Sequence, residues 1–364
     1  MFGWFKRKPV TDAAFTVAPA EPQSPSGESD LVPREMPPAP EDVASSVHDG
    51  AVGPLHARLV AQVVDRTRAI LLPIEREPYA KDVRQLLDLV VRSEAGTIRP
   101  IPTAAKRAMS LTRDPNANLV DVAQAFEHDP SLAEGLLRLA NSSWYRGGDD
   151  QVDSLREALQ RTGSSGAEIV IMENALKGTL CRPGGAYDSM VAQVWLHLSR
   201  TAPVARSLAR TFNVDPDTAF MLGLLHDAGK LVLFDALSEH RHRMHQATRL
   251  PYTVTRDILL HLHEPLGGLA MLRWGLELDR AAAVADHHRR DQPHVVNSAA
   301  ELLFVAERAD LALASGRPCD VSQWIVSGGL EIGYETLRRA LDDATGGALR
   351  FLDASENEGF ERAS

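Results

Sequence analysis

The chain has 364 residues, 44% of them apolar, enough for two domains or for one domain with appendages around a sizeable core. Its 49 acidic residues outnumber 39 basic ones, giving a formal charge of −10 with no long basic run to offset it. That argues against nucleic acid as the main partner, because such binding rests on phosphate neutralisation. The two cysteines, Cys181 and Cys319, supply neither a disulfide framework nor a zinc-type spacing, and they point to a reducing, cytoplasmic setting.

The chain opens MFGWFKRKPV, with apolar residues before the basic ones and too few of them for a signal peptide. Phe2, Trp4 and Phe5 beside Lys6, Arg7 and Lys8 support at most a weak contact with an anionic membrane surface. No stretch approaches the roughly 20 apolar residues that span a bilayer, so no stable membrane insertion is expected. Residues 9–50 carry eight prolines among Ala, Ser, Glu and Asp. Such a composition buries too little apolar surface to offset ordering entropy, and residues 1–50 read as a disordered Pro-rich arm. From Leu55 the text turns helical: LHARLVAQVVDRTRAILL and AKDVRQLLDLVVRSEA are two helices split near Pro73 and Pro78, forming a segment over 51–96.

Beyond Gly96 the helical signals are regular. Asp114-Pro115, Asp129-Pro130 and Asp215-Pro216 each place a capping side chain before a proline suited to a first helical turn. SLAEGLLRLANSSWY aligns Leu132, Leu136, Leu139 and Ala140 on one face. SLREALQRTG and AEIVIMENALKG follow as further helices, with Gly163 as the stop between them. No run of alternating strands occurs, and the expected class is all-α.

The stretch MLGLLHDAGKLVLF then sets ionisable groups in an apolar surround. A helix starting at Pro216 would carry Phe220, Leu224, Leu225 and Leu231 inward, with His226 and Asp227 in its middle. Lys230, four residues after His226 and three after Asp227, shares their side. Buried charge is costly unless it is paired or ligates a metal. One reading is therefore an imidazole–carboxylate pair with Lys230 bonded to Asp227 or reaching solvent. The other needs partners on further helices, and two occur. His197 flanks the apolar face Val194, Leu198, Ala202, Ala205 and Leu208, and Asp310 lies on the stripe Leu303, Ala306 and Ala309. His197, His226, Asp227 and Asp310 make a mixed nitrogen/oxygen set suited to Mn, Fe, Mg, Co or Ni. His263, His287 and His288 could complete a second metal site or contact a phosphate.

The order His197, His226-Asp227, Asp310 resembles the motif of the HD superfamily of metal-dependent phosphohydrolases. Within it, the chain resembles the HDOD (HD-related output) domains of bacterial signalling proteins, through DPSL, RLANS, VDSLREALQRTG, VWLHLSRTAPVARSLA, GLLHDAGKLVL, HEPLGGLAMLRWGL and HHRR. The resemblance covers about residues 97–315, and implies a two-lobed helical bundle divided into 97–185 and 186–315, followed by a C-terminal helix and tail over 316–364. It also implies His197, His226, Asp227 and Asp310 as metal ligands, Lys230 and Asp227 as catalytic groups if the domain turns over, and His263, His287 and His288 as additional histidines. No organic cofactor is expected. The text departs from the cyclic di-GMP-hydrolysing HD-GYP branch, since His287-His288 continues into RRDQPHV rather than toward Gly-Tyr-Pro. HDOD domains generally act as regulatory modules, so the expected function is a signal-transduction output module that recruits other signalling proteins. A metal-dependent phosphohydrolase acting on a nucleotide or other phosphoester is the alternative. Three features are expected to be structural: HRHRMHQ as a solvated surface, Trp144-Tyr145 as core or lobe-interface packing, and one amphipathic helix around Tyr334–Asp343.

Overall fold

A computed structural model describes residues 49–92, 98–146, 151–181, 187–243, 250–288 and 297–352. The Pro-rich arm before residue 49 and the tail after 352 lie outside the described residues. Among the described residues the chain is helical, apart from an isolated parallel bridge between Cys319 and Phe351, so the all-α class holds. Helices α1 (Asp49–Leu71) and α2 (Ala80–Arg92) are separated by a 3-10 turn over Leu72–Ile74, where the two prolines were expected to divide them.

The first lobe comprises α3 (Thr103–Arg113), α4 (Leu119–Glu127), α5 (Pro130–Ala140) and α6 (Leu155–Leu180), with α3, α4 and α5 all packed on α6. Asp129 caps α5 by accepting from the Ser131 and Leu132 amides. Asp114 behaves differently from the expectation. It ends α3 rather than starting a helix, its carboxylate accepts from the Asn116 amide in the following turn, and Asn118 caps α4. Gly163 interrupts α6 with φ 66°, the positive angle that glycine adopts without a Cβ clash, so α6 is two helices across a kink. The lobe closes on the fully buried Phe126, Leu136, Ile169, Ile171 and Met172.

The second lobe contains α7 (Asp188–Leu208), α8 (Pro216–Leu225), α9 (Ala228–Arg243), α10 (Tyr252–Arg273), α11 (Leu278–Ala285) and α12 (Ser298–Ser315). Asp215 caps α8 through the Thr218 amide as the Asp-Pro signal predicts. The single helix expected across MLGLLHDAGKLVLF is two: His226 and Asp227 form the turn between α8 and α9. Gly229 explains how α9 can leave so close to α10. A Cβ there would lie 1.9 Å from the His263 carbonyl oxygen.

The lobes are tied by charge. Glu168 on α6 accepts from Arg113 Nε at 2.6 Å and lies 3.5 Å from Arg280 on α11. Tyr145 after α5 donates to Asp217 at 2.6 Å, and Arg206 pairs with the same carboxylate at 2.7 Å. Tyr145 is therefore at the lobe interface as expected, whereas Trp144 is 47% exposed beneath the Arg206 guanidinium. Of the HRHRMHQ histidines, His240 is buried rather than solvated, His242 is exposed, and His245 lies outside the described residues. The end of the chain carries α13 (Val321–Gly328) as well as the expected α14 (Tyr334–Thr345).

Candidate metal centre

Five segments bring polar side chains to one point in the second lobe. Helix α7 carries His197, the α8–α9 turn carries His226 and Asp227, and α10 carries His263. The turn after α11 carries His287 and His288, and α12 carries Glu307 and Asp310. Apolar faces position them: Leu198, Ala202 and Ala205 on α7, Leu225 on α8, Leu262 on α10 and Leu303 on α12 are all fully buried.

Ligand atoms of His197, His226, Asp227 and Glu307 lie within 4.8 Å of one another, and those of His263, His287 and His288 do likewise. Two carboxylates join the groups. Asp227 Oδ2 is 3.6 Å from His197 Nε2 and 3.7 Å from His226 Nε2, while its Oδ1 is 3.5 Å from His263 Nε2. Glu307 Oε2 is 3.2 Å from His288 Nδ1. Lys230 pairs with Asp227 Oδ2 and keeps 22% of its side chain exposed.

Backbone carbonyls set which ring nitrogen faces inward. His226 Nδ1 lies 2.8 Å from Gly223 O, His263 Nδ1 2.6 Å from Leu259 O, and His287 Nδ1 2.6 Å from Val284 O. A carbonyl only accepts, so Nδ1 donates and Nε2 presents its lone pair in the neutral ring. His197 is held in the same sense by Asp310, whose Oδ2 is 2.7 Å from Nδ1. As a result His197 Nε2 and His226 Nε2 face each other at 3.1 Å, with both Nδ1 atoms already engaged. Two facing lone pairs repel unless a cation or proton lies between them.

The electrostatics agree. Burial lowers the His226 pKa to about 4, so its ring is neutral at pH 7. Burial alone would favour neutral Asp227, but Lys230 and the surrounding imidazoles outweigh it and hold the carboxyl well below the usual range. Glu307 is also lowered, since His287 and Lys230 prevail over burial and over repulsion from Asp227. Two ionised carboxylates against one ammonium leave a surplus of negative charge. Asp227 Oδ1, Glu307 Oε2 and His287 Nε2 are buried without a hydrogen bond among the described residues. Three such atoms in one buried cluster are expensive, and a divalent cation would satisfy them. The donor set therefore fits a metal with nitrogen and oxygen preference.

The sequence grouped His197, His226, Asp227 and Asp310 as one ligand set, with His263, His287 and His288 as a possible second; the structure brings the first three together with Glu307 and has the three further histidines adjoining. Asp310 stands behind His197, also accepting from Arg200 Nε at 2.8 Å and Nη2 at 3.0 Å. His263 is fully buried in mid-α10, its Nε2 3.0 Å from His288 Nε2. Glu307 was missed, although it lies four residues after Leu303 and three before Asp310, on the same helical face. Arg200 was missed because its role depends on Asp310, more than a hundred residues away.

The profile of the HDOD domain family matches residues 98–290, just over half of the chain. Among solved structures, the chain is similar to a protein from Shewanella amazonensis provisionally called a metal-dependent phosphohydrolase. The identity is 20% and the TM-score 0.57, over 73% of this chain and 97% of that one. A second Shewanella amazonensis protein, provisionally called a phosphohydrolase, matches at 18% identity and TM-score 0.52, over 72% and 95%. A protein from Marinobacter aquaeolei provisionally called a signal transduction protein matches at 20% identity and TM-score 0.45, over 75% and 66%. Among curated proteins none matches.

Proposed function

The chain belongs to the HDOD domain family, and from that premise we propose that it is a signal-transduction output module whose second lobe is organised by a divalent metal centre. The observation that carries this reading is the convergence of five histidines with Asp227 and Glu307 in a buried cluster where three polar atoms lack a hydrogen bond among the described residues. His197, His226, Asp227 and Glu307 would hold one ion, and His263, His287 and His288 a second or a phosphate. Asp310, backed by Arg200, would keep His197 Nδ1 protonated and its Nε2 available. An ion at the first group would fasten α7, the α8–α9 turn and α12 to one another, and a ligand at the second would fasten α10 to the turn after α11. Loading would then control how rigidly the helical surface is presented to cytoplasmic signalling partners. Among the described residues no helix is long and apolar enough to cross a membrane.

A second reading, phosphohydrolase activity, is favoured by the placement of Lys230. Its ammonium pairs with Asp227 yet stays partly exposed, where it can neutralise an incoming phosphate. A divalent ion at such a centre supplies Lewis acidity toward a phosphoryl oxygen.

The test is elemental mass spectrometry of full-length protein purified without a metal-binding tag, beside a His226→Ala/Asp227→Ala variant, before and after Mn2+ or Fe2+. Near-stoichiometric metal in the wild type, lost in the variant and accompanied by a higher Tm, supports the centre. Metal in neither protein, with Tm unmoved by added ions, refutes it. Mn2+-dependent hydrolysis of bis(p-nitrophenyl) phosphate, abolished by Lys230→Ala, would favour the second reading.

A further inference from the structure

Helix α1 lies before the family segment, yet two of its arginines reach carboxylates adjoining the histidine triad. Arg58 makes a bidentate pair with Asp286, at 2.8 Å and 3.0 Å, and Asp286 directly precedes His287. Arg66 pairs with Glu264 at 2.7 Å, and Glu264 directly follows His263. The second contact is built into the backbone of α10. Pro265 has no N–H to give to the His261 carbonyl four residues earlier, and Arg66 Nη1 donates there instead at 2.9 Å. Arg66 thus braces α10 on both sides of His263. Arg58 acts on a different kind of target: Asp286, His287 and His288 lie in the turn leaving α11, where backbone geometry is not fixed by a helical ladder.

Leu59, fully buried, fixes the height of α1. It occupies the space left at Gly268, where a Cβ would meet Leu59 Cδ1 at 2.8 Å. The two arginines are eight residues apart, roughly 12 Å along the helix. Two clamps at that separation, with one apolar peg, determine the rotation and the axial position of α1 against α10 and the α11 turn.

We propose that Arg58 and Arg66 are positioning residues of the metal centre, through which α1 sets the His263–His287–His288 half but not the His197–His226 half. The proposal rests on the reading that this lobe binds divalent metal. It makes α1, which lies before the family segment, part of the site.

The experiment titrates full-length protein with Mn2+ alone, following free Mn2+ by electron paramagnetic resonance. Wild type is expected to take two ions per chain. Arg58→Ala and Arg66→Met should each weaken one of them by about tenfold and leave the other within twofold, as disturbed outer-shell contacts do. Arg58→Asp should act like Arg58→Ala, and Arg58→Asp with Asp286→Arg should restore the weakened ion. Circular dichroism confirms folding, and Arg58, part-exposed, serves if Arg66→Met does not fold. Unchanged binding of both ions overturns the proposal, as does an equal loss at both, which marks general loosening. A single wild-type ion that survives both substitutions also overturns it. Wild type that takes no Mn2+ refutes the metal reading itself, before any variant is compared.

Discussion

Replacing Gly229 by alanine should destabilise the protein, although alanine is the better helix former. Gly229 lies in the first turn of α9, where a Cβ would meet His263 O at 1.9 Å and both His263 C and Gly267 N at 2.8 Å. All three are backbone atoms of α10, so no side chain can swing aside. Relief requires α9 and α10 to part by more than 1 Å, and overpacking of this kind costs about 3 kcal/mol. The helical preference of alanine over glycine returns about 1 kcal/mol, leaving a loss of about 2 kcal/mol. For a folded unit spanning residues 51–364, an unfolding entropy of about 2.1 cal/mol/K per residue makes this a Tm decrease of about 3 °C. Gly178 on α6 is the control. It is exposed and a Cβ there meets nothing within 4 Å, so Gly178→Ala should raise stability by up to about 1 kcal/mol. Differential scanning calorimetry of both variants in metal-free buffer reads the two signs directly. Gly229→Ala melting at or above the wild type would refute the close approach. The same variant separates Asp227 from His263, so its Mn2+ affinity should fall as well.

The centre's protonation gives a second expectation. His226 falls from 6.5 to about 4 on folding, so between those values the unfolded chain takes a proton that the folded chain refuses. Stability of metal-free protein should therefore drop as pH falls, by about 2 kcal/mol between pH 7 and pH 5. Urea denaturation at the two values measures it, and His226→Asn should remove that part of the slope; an identical slope in the variant would sink the assignment. A third expectation separates Asp310 from Glu307. Asp310→Asn sets an amide against Arg200 and loosens His197, and should weaken Mn2+ binding by about 10- to 100-fold. Glu307→Gln removes an inward carboxylate and should weaken it more. The reverse ranking would mean that Asp310 itself reaches the ion.

Much of this architecture was legible from local chemistry. Asp129 and Asp215 cap the helices that their Asp-Pro pairs announce, and Gly163 breaks α6 where its left-handed angle is required. His226, Asp227 and Asp310 could be picked out because each interrupts an apolar surround, which a chain tolerates only when the group is paired or bound, and His197 because it flanks such a face. The Asp114-Pro115 pair misled, since an Asp side chain serves a turn after a helix as readily as a cap before one.

The helical class, the polar residues buried among leucines and the divide between α1 and α2 can be read along the chain, because they depend on spacing within a few turns. Tertiary packing sets Glu307 toward the histidines while Asp310 backs His197, makes the HD pair a turn between helices, and lets α1 grip α10 and the turn after α11. Those outcomes depend on how helices rotate and approach across more than a hundred residues, as Gly229 allows against His263 and Arg66 enforces at the Pro265 gap. No local pattern encodes that distance.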